Sequence, residues 1–124
     1  MQKKILVIDD EEILTKTFSL FLERSGFQVY TAKNGFDAQA MVASEDFDLI
    51  LCDIRMPGMN GVEIVKSILS PNVTAHSKNT PIIFITGFAD ESAESQARKL
   101  HPIAYVYKPF DNNEMLETIK KALA

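Results

Sequence analysis

The sequence predicts an α/β fold: an open parallel sheet of five strands, doubly wound with five helices. Three observations carry this. Four short apolar runs, Ile5 to Ile8, Leu49 to Cys52, Ile82 to Ile85 and Ile103 to Tyr107, are separated by stretches of helical periodicity, as buried parallel strands are. The alternation of strand-like and helix-like segments, joined by right-handed crossovers, places helices on both faces of the sheet. Each run also ends on a residue suited to handling phosphate or metal: Asp9-Asp10, Asp53, Thr86 and Lys108. Open parallel sheets bind ligands beyond the carboxyl ends of their strands. Three carboxylates, one hydroxyl and one ammonium are therefore expected at a single sheet edge.

The elements follow in order. After Asp10, the spacing of Leu14, Phe18, Phe21 and Leu22 predicts a first helix, closed by Gly26 as a left-handed cap. Phe27 to Thr31 reads as the second strand, with Asn34-Gly35 marking the turn after it. Ala38, Met41 and Val42 make a short second helix. The strand ending at Asp53 opens into the turn-rich loop Met56-Pro57-Gly58-Met59-Asn60-Gly61, where Asn60 can cap a third helix carried by Val62, Ile64, Val65, Ile68 and Leu69. Ser70 to Thr80 is a polar loop longer than the usual connection of roughly two to six residues. A fourth helix, Asp90 to Leu100, has only Ala89, Ala93, Ala97 and Leu100 as its apolar stripe; so thin a face packs lightly and moves easily. His101-Pro102 ends it. In the last helix, Asp111 and Glu114 suggest a capping box, Phe110 and Met115 a hydrophobic staple, and Leu116, Ile119 and Leu123 the buried stripe.

At 124 residues and 46% hydrophobic content, the chain can bury a real core without covalent staples. No repeat, low-complexity tract or linker interrupts it, so one domain over residues 1–124 is expected. Thirteen basic against seventeen acidic side chains give a net charge of −4, which argues against a nucleic-acid-binding surface. The single Cys52 rules out an intramolecular disulfide and reads as a buried thiol in a reducing cytoplasm. The first apolar run is too short for a signal peptide or membrane span. The close of the last helix at Ala124 suits a free-standing domain and one cut from a longer regulator equally.

Converging carboxylates without a partner repel one another and raise their pKa values. A hard divalent cation such as Mg2+ relieves this with oxygen ligands, one or two of them carboxylates. For Asp9 and Asp10 alone, a helix cap at Asp10 beside a solvated Asp9 is as good an explanation; Asp53 at a second strand end tips the balance toward metal. Asp53 is the candidate nucleophile, since carboxylates form acyl phosphates. Phosphoryl transfer needs mainly positioning and charge neutralisation. Mg2+ and Lys108 would supply the charge, with the Thr86 hydroxyl and the Gly87 N–H as donors to phosphoryl oxygens. Singly, a strand-end lysine or a threonine in a strand is commonplace; the ordered set is specific.

Ile8-Asp9-Asp10-Glu11, the segment Asp53-Ile54-Arg55-Met56-Pro57-Gly58-Met59-Asn60-Gly61, Thr86-Gly87 and Lys108-Pro109-Phe110 resemble the signature blocks of bacterial two-component response regulator receiver domains, chemotaxis regulators among them. The resemblance runs from about Lys3 to Leu123. It implies the flavodoxin-like receiver fold with strand order 2-1-3-4-5 and Asp53 as phosphoacceptor for a histidine kinase or phosphotransfer protein. It further implies Mg2+ held by Asp10, by Asp9 through water, by Asp53 and by the Arg55 carbonyl, and Lys108 paired with the phosphoryl group across a cis Lys108-Pro109 bond. Thr86 and Tyr105 match the family's switch pair, in which Thr86 turns toward the phosphate and Tyr105 into the vacated space. The output surface would be the fourth helix, the Tyr105 strand and the last helix, met by a downstream domain or protein or by a second copy in a phosphorylation-dependent homodimer. No direct contact with nucleic acid or membrane is implied for this domain. Three departures stand out: the long 70–80 loop, His101-Pro102 where the family often has a glycine-containing turn, and Arg55 with Phe88 at positions that tune phosphate lifetime. If bulky Phe88 shields the acyl phosphate from water, Phe88→Ala speeds dephosphorylation; an unchanged half-life removes the idea.

Two other functions compete. A Mg2+ phosphatase with an aspartyl nucleophile needs an acid/base carboxylate two residues on, where this chain has Arg55. A flavin or nucleotide carrier needs a Gly-, Ser- and Thr-rich turn after the first strand; Asp9-Asp10-Glu11-Glu12 would repel the phosphate. A signalling switch, rather than a turnover enzyme, is the expected function.

Overall fold

The computed structural model describes residues 2–56, 58–69, 80–87 and 90–124, with only the backbone of Met59. Residues 70–79 of the long loop, together with Phe88 and Ala89, lie outside the described residues. The order is β1 (Lys4–Ile8), α1 (Glu12–Arg24), β2 (Gln28–Ala32), α2 (Gly35–Ser44), β3 (Leu49–Asp53), the short strands β4 (Arg55–Met56) and β5 (Met59–Asn60), α3 (Gly61–Ile68), β6 (Ile82–Thr86), α4 (Glu91–Arg98), β7 (Ala104–Tyr107) and α5 (Asn112–Leu123). Five strands pair in parallel in the order β2-β1-β3-β6-β7. Setting the small antiparallel β4-β5 hairpin aside, this is the expected 2-1-3-4-5.

Strand alternation sorts the apolar residues into two cores. Ile5, Val7, Leu49, Leu51, Ile83 and Ile85 face α1 and α5, where they pack with Phe18, Leu22, Met115 and Ile119. Leu6, Ile8, Ile50, Cys52, Ile82 and Phe84 face α2, α3 and α4. Covered on both sides, the central strands β3 and β6 are buried at every position, which explains why they read as unbroken apolar runs.

The helix ends obey local chemistry. Gly26 takes φ +101; its N–H bonds to Glu23 O at 3.0 Å and that of Phe27 to Leu22 O at 3.2 Å, a Schellman closure. Asn34 is the N-cap of α2, its side chain accepting from the Asp37 N–H at 2.8 Å, so Asn34-Gly35 opens a helix rather than only turning the chain. Asn60 caps α3 through the Val62 N–H at 2.7 Å. Asp111 caps α5 by accepting from the N–H groups of Asn113 and Glu114, at 2.8 and 3.1 Å.

One stripe differs from expectation. In α1 the buried positions are Thr15, Phe18, Ser19 and Leu22, while Leu14 is 53% exposed. Leu14 lines an open groove with Pro109 and Phe110 instead of joining the buried core. Among the described residues no helix is long and apolar enough to cross a membrane.

Candidate functional site

Parallel strands bring Asp9, just past β1, Asp53, the last residue of β3, Thr86, the last of β6, and Lys108, just past β7, to one edge. Ligand atoms of Asp9, Asp10 and Asp53 lie within 4.8 Å of one another. The Lys108 ammonium sits among the acids and donates to Asp53 Oδ2 at 2.9 Å, Asp9 Oδ2 at 3.1 Å and Glu11 Oε1 at 3.1 Å. Asp53 is 4% exposed, and its Oδ1 accepts from the Arg55 N–H at 3.2 Å.

The local folding explains who is free for chemistry. The N-cap of α1 is Glu11, with no side-chain cap bond, so Asp10 is not spent on capping. Asp9 accepts from the Glu11 N–H at 3.0 Å as well as from Lys108, so it is not simply solvated. Gly61 holds the floor of the site. A Cβ there would stand 2.1 Å from the Asp53 carbonyl oxygen and 2.9 Å from Ile54 Cα, and the Gly61 N–H bonds to Ile54 O at 2.8 Å. The start of α3 thus presses on the backbone of the buried aspartate, a contact that needs glycine.

Burial pushes the Asp53 carboxyl above its ordinary value; the Lys108 bond and charge and the Arg55 N–H draw it back, while the Asp9 charge adds to the rise. Burial works against the charge on Lys108, but its bond to Asp53 and the charges of Asp9 and Asp53 outweigh that and lift its pKa above the usual ammonium range. The cluster thus has more negative charge than one ammonium satisfies. Its donors are all hard oxygens, the set that a divalent cation of the Mg2+ type takes. Cys52, directly before Asp53, is fully buried, and burial followed by the Asp53 and Asp9 charges pushes its thiol up. It is a protonated structural thiol, as expected from its place in an apolar run.

A family model, the response regulator receiver domain, matches residues 5–120. The chain belongs to this family. Receiver domains are non-catalytic signalling modules of phosphorelays, and the chain is 36% identical over 121 residues to the transcriptional regulatory protein CrdR of Helicobacter pylori, covering 98% of this chain and 55% of CrdR. The chain spans about half the length of the first such curated relatives. A receiver domain from Methanospirillum hungatei superposes with a TM-score of 0.90 at 28% identity, covering 99% of this chain and 94% of that one. A response regulator from Burkholderia pseudomallei, solved with a phosphorylated aspartic acid, a calcium ion and citrate, gives 0.82 at 27% identity over 94% of this chain and 66% of that one.

The remaining expected site residues of this receiver domain fall as follows. Thr86 is 2% exposed, and its carbonyl accepts from the Lys108 N–H at 2.7 Å. Arg55 is exposed in β4, and the Lys108-Pro109 bond is cis. A Cβ at Gly87 would meet, among the described residues, nothing nearer than Lys108 Cβ at 4.0 Å, so packing alone does not demand glycine there. Tyr105 is half-buried in β7 against the α2–α4 core. Sequence reasoning missed the part of Glu11, which shares the Lys108 ammonium, and the polar contacts that bind α4 to β7. Nothing in residue spacing announces either, because both join residues from different elements.

Proposed function

We propose that residues 1–124 act as one receiver unit in which Asp53 accepts a phosphoryl group from a histidine kinase or a phosphotransfer protein. The observation that carries this is the buried Asp53 carboxylate, held 2.9 Å from a lysine ammonium and grouped with two further carboxylates. Asp9, Asp10, Asp53 and the Arg55 carbonyl would hold Mg2+, which would offset the negative charge of both the acids and the incoming phosphoryl oxygens. The phosphorylated aspartate and calcium ion of the Burkholderia relative support both assignments.

In the transfer, a carboxylate oxygen of Asp53 forms the new bond to phosphorus while the donor's bond to phosphorus breaks and its electron pair leaves with the donor. No proton has to be taken from Asp53, because the attacking group is already an anion. Lys108 keeps its proton and moves its hydrogen bonds toward the phosphoryl oxygens, and the Thr86 hydroxyl donates to another. Tyr105 then turns inward, changing the surface of α4, β7 and α5 that a downstream domain or protein, or a second copy, would meet. A coupling of about 1–3 kcal/mol between site and surface is enough for such a switch.

Intact-mass measurement after incubation with acetyl phosphate and Mg2+ tests the reading. The wild-type chain should gain one phosphoryl group and Asp53→Asn none; a wild type that gains nothing ends the proposal.

A further inference from the structure

Four side chains outside the acidic edge close into a ring. Tyr107 Oη donates to Glu94 Oε1 at 2.5 Å, and Glu94 Oε2 accepts from Arg98 Nε at 2.9 Å. The Arg98 guanidinium carbon stands 5.4 Å from the centre of the Tyr105 ring. The Tyr105 and Tyr107 rings meet edge-on at 5.5 Å. Glu94 and Arg98 lie one turn apart on α4, and both tyrosines point to the same face of β7.

This ring carries weight because, among the described residues, the apolar hold on α4 is thin. Ala97 is its sole fully buried residue, with Ala93 and Leu100 packed only part-buried against the core. The strand end it grips is also the strand end of the site. Tyr107 pairs in register with Thr86 and directly precedes Lys108. Turning Tyr105 inward would give up both the stacked guanidinium and the edge contact with Tyr107.

We propose that Glu94, Arg98 and Tyr107 form a clasp that holds α4 on β7 and keeps Tyr105 in its half-buried place beside Arg98 and Tyr107, so that the clasp opposes switching. The proposal rests on the receiver reading above for its second half, since switching presupposes that reading. The first half, the hold on α4, stands on geometry alone. Glu94, Arg98 and Tyr107 act here as positioning residues; none touches the phosphoryl site.

Tyr107→Phe removes one hydroxyl and keeps the ring, and Glu94→Ala removes the acceptor while favouring helix. Amide hydrogen exchange without Mg2+ or any phosphoryl analogue reads the first half. In both variants residues 91–98 should exchange about five-fold faster, the low end of ordinary coupling, with α3 unchanged; equal rates in α4 overturn the clasp. Titration with beryllofluoride and Mg2+, followed at the Tyr105 ring by NMR, reads the second half. Both variants should reach half-saturation at about five-fold lower beryllofluoride. Faster exchange with an unchanged or raised midpoint shows a merely structural contact and overturns the proposal. A wild type that ignores beryllofluoride instead sinks the receiver reading, while the exchange data still decide the hold on α4.

Discussion

Helices α3 and α4 have the same length and lie over the same face of the sheet, yet they are held in opposite ways. Of its eight residues, α3 buries five, Gly61, Val62, Ile64, Val65 and Ile68; α4, also eight long, buries Ala97 alone. The first is locked by apolar packing and by the contact of Gly61 with the Asp53 backbone. The second is tied by hydrogen bonds and an ion pair at a half-exposed surface, where such contacts are individually weak. The proposed switch would use this inequality. The element that supports Asp53 would stay fixed, while the element that reports would move for a small change in free energy.

The largest expected effect tests the locked side. Gly61→Ala would force a Cβ to within 2.1 Å of the Asp53 carbonyl oxygen; backbone must shift, at a cost of about 3 kcal/mol or more. Urea denaturation should show that loss together with impaired phosphorylation of Asp53. A variant as stable as wild type would mean that α3 is not the rigid support described.

Next comes a paired measurement that bears directly on the comparison. Ile68→Ala in α3 removes a fully buried side chain and should cost about 2–5 kcal/mol. Ala97→Gly in α4 removes one methyl and loosens the helix, for about 1 kcal/mol. Equal losses by chemical denaturation would contradict the unequal anchoring of the two helices.

The contrast was partly legible in the sequence. The dense run Val62, Ile64, Val65, Ile68 and Leu69 against the sparse alanines of the fourth helix already separates a packed element from a light one, because hydrophobic period reports burial directly. The convergence of Asp9, Asp53, Thr86 and Lys108 was legible too, since parallel strands share one carboxyl edge. What spacing did not reveal is set by three-dimensional closure. The exposure of Leu14 depends on where α1 sits against Pro109 and Phe110, residues of a distant segment. The bond between Glu94 and Tyr107 depends on the height of α4 over β7. The need for glycine at position 61 depends on an approach to Asp53, eight positions earlier in the chain.

Metal addition probes the acidic edge at intermediate size. A single ion at about ten times its dissociation constant adds about 1.4 kcal/mol to stability. Mg2+ should raise the thermal midpoint accordingly, a chelator should reverse it, and Asp10→Asn should abolish the response. Persistence of the full shift in that variant would remove Asp10 from the ligand set.

Acid should loosen α4 locally through Glu94. Its carboxyl lies below the ordinary value of 4.5, chiefly through the Tyr107 hydrogen bond and then the bond from Arg98. A depressed carboxyl stabilises the fold above its unfolded value, and that contribution fades as pH falls through the lower, folded one. The Arg98 Nε–H signal should therefore lose its hydrogen-bonded shift below pH 4.5 at a point where α3 amides still hold theirs. Simultaneous loss in both helices would leave no separate clasp.

The smallest effect concerns the exit from α4. His101 takes φ +54, a left-handed conformation in which a side chain crowds the following carbonyl. Its N–H nonetheless closes the helix by bonding to Arg98 O at 3.0 Å, so the chain accepts strain to stop α4 within one turn of the clasp. His101→Gly relieves the crowding but frees the unfolded chain, and the two oppose each other. The net gain should be at most about 1 kcal/mol, read as a rise in the urea midpoint at constant slope. Because the strain lies on the weakly anchored side, α4 exchange should slow while α3 stays as it was. A destabilised His101→Gly would mean that the imidazole makes contacts worth more than the backbone strain it imposes.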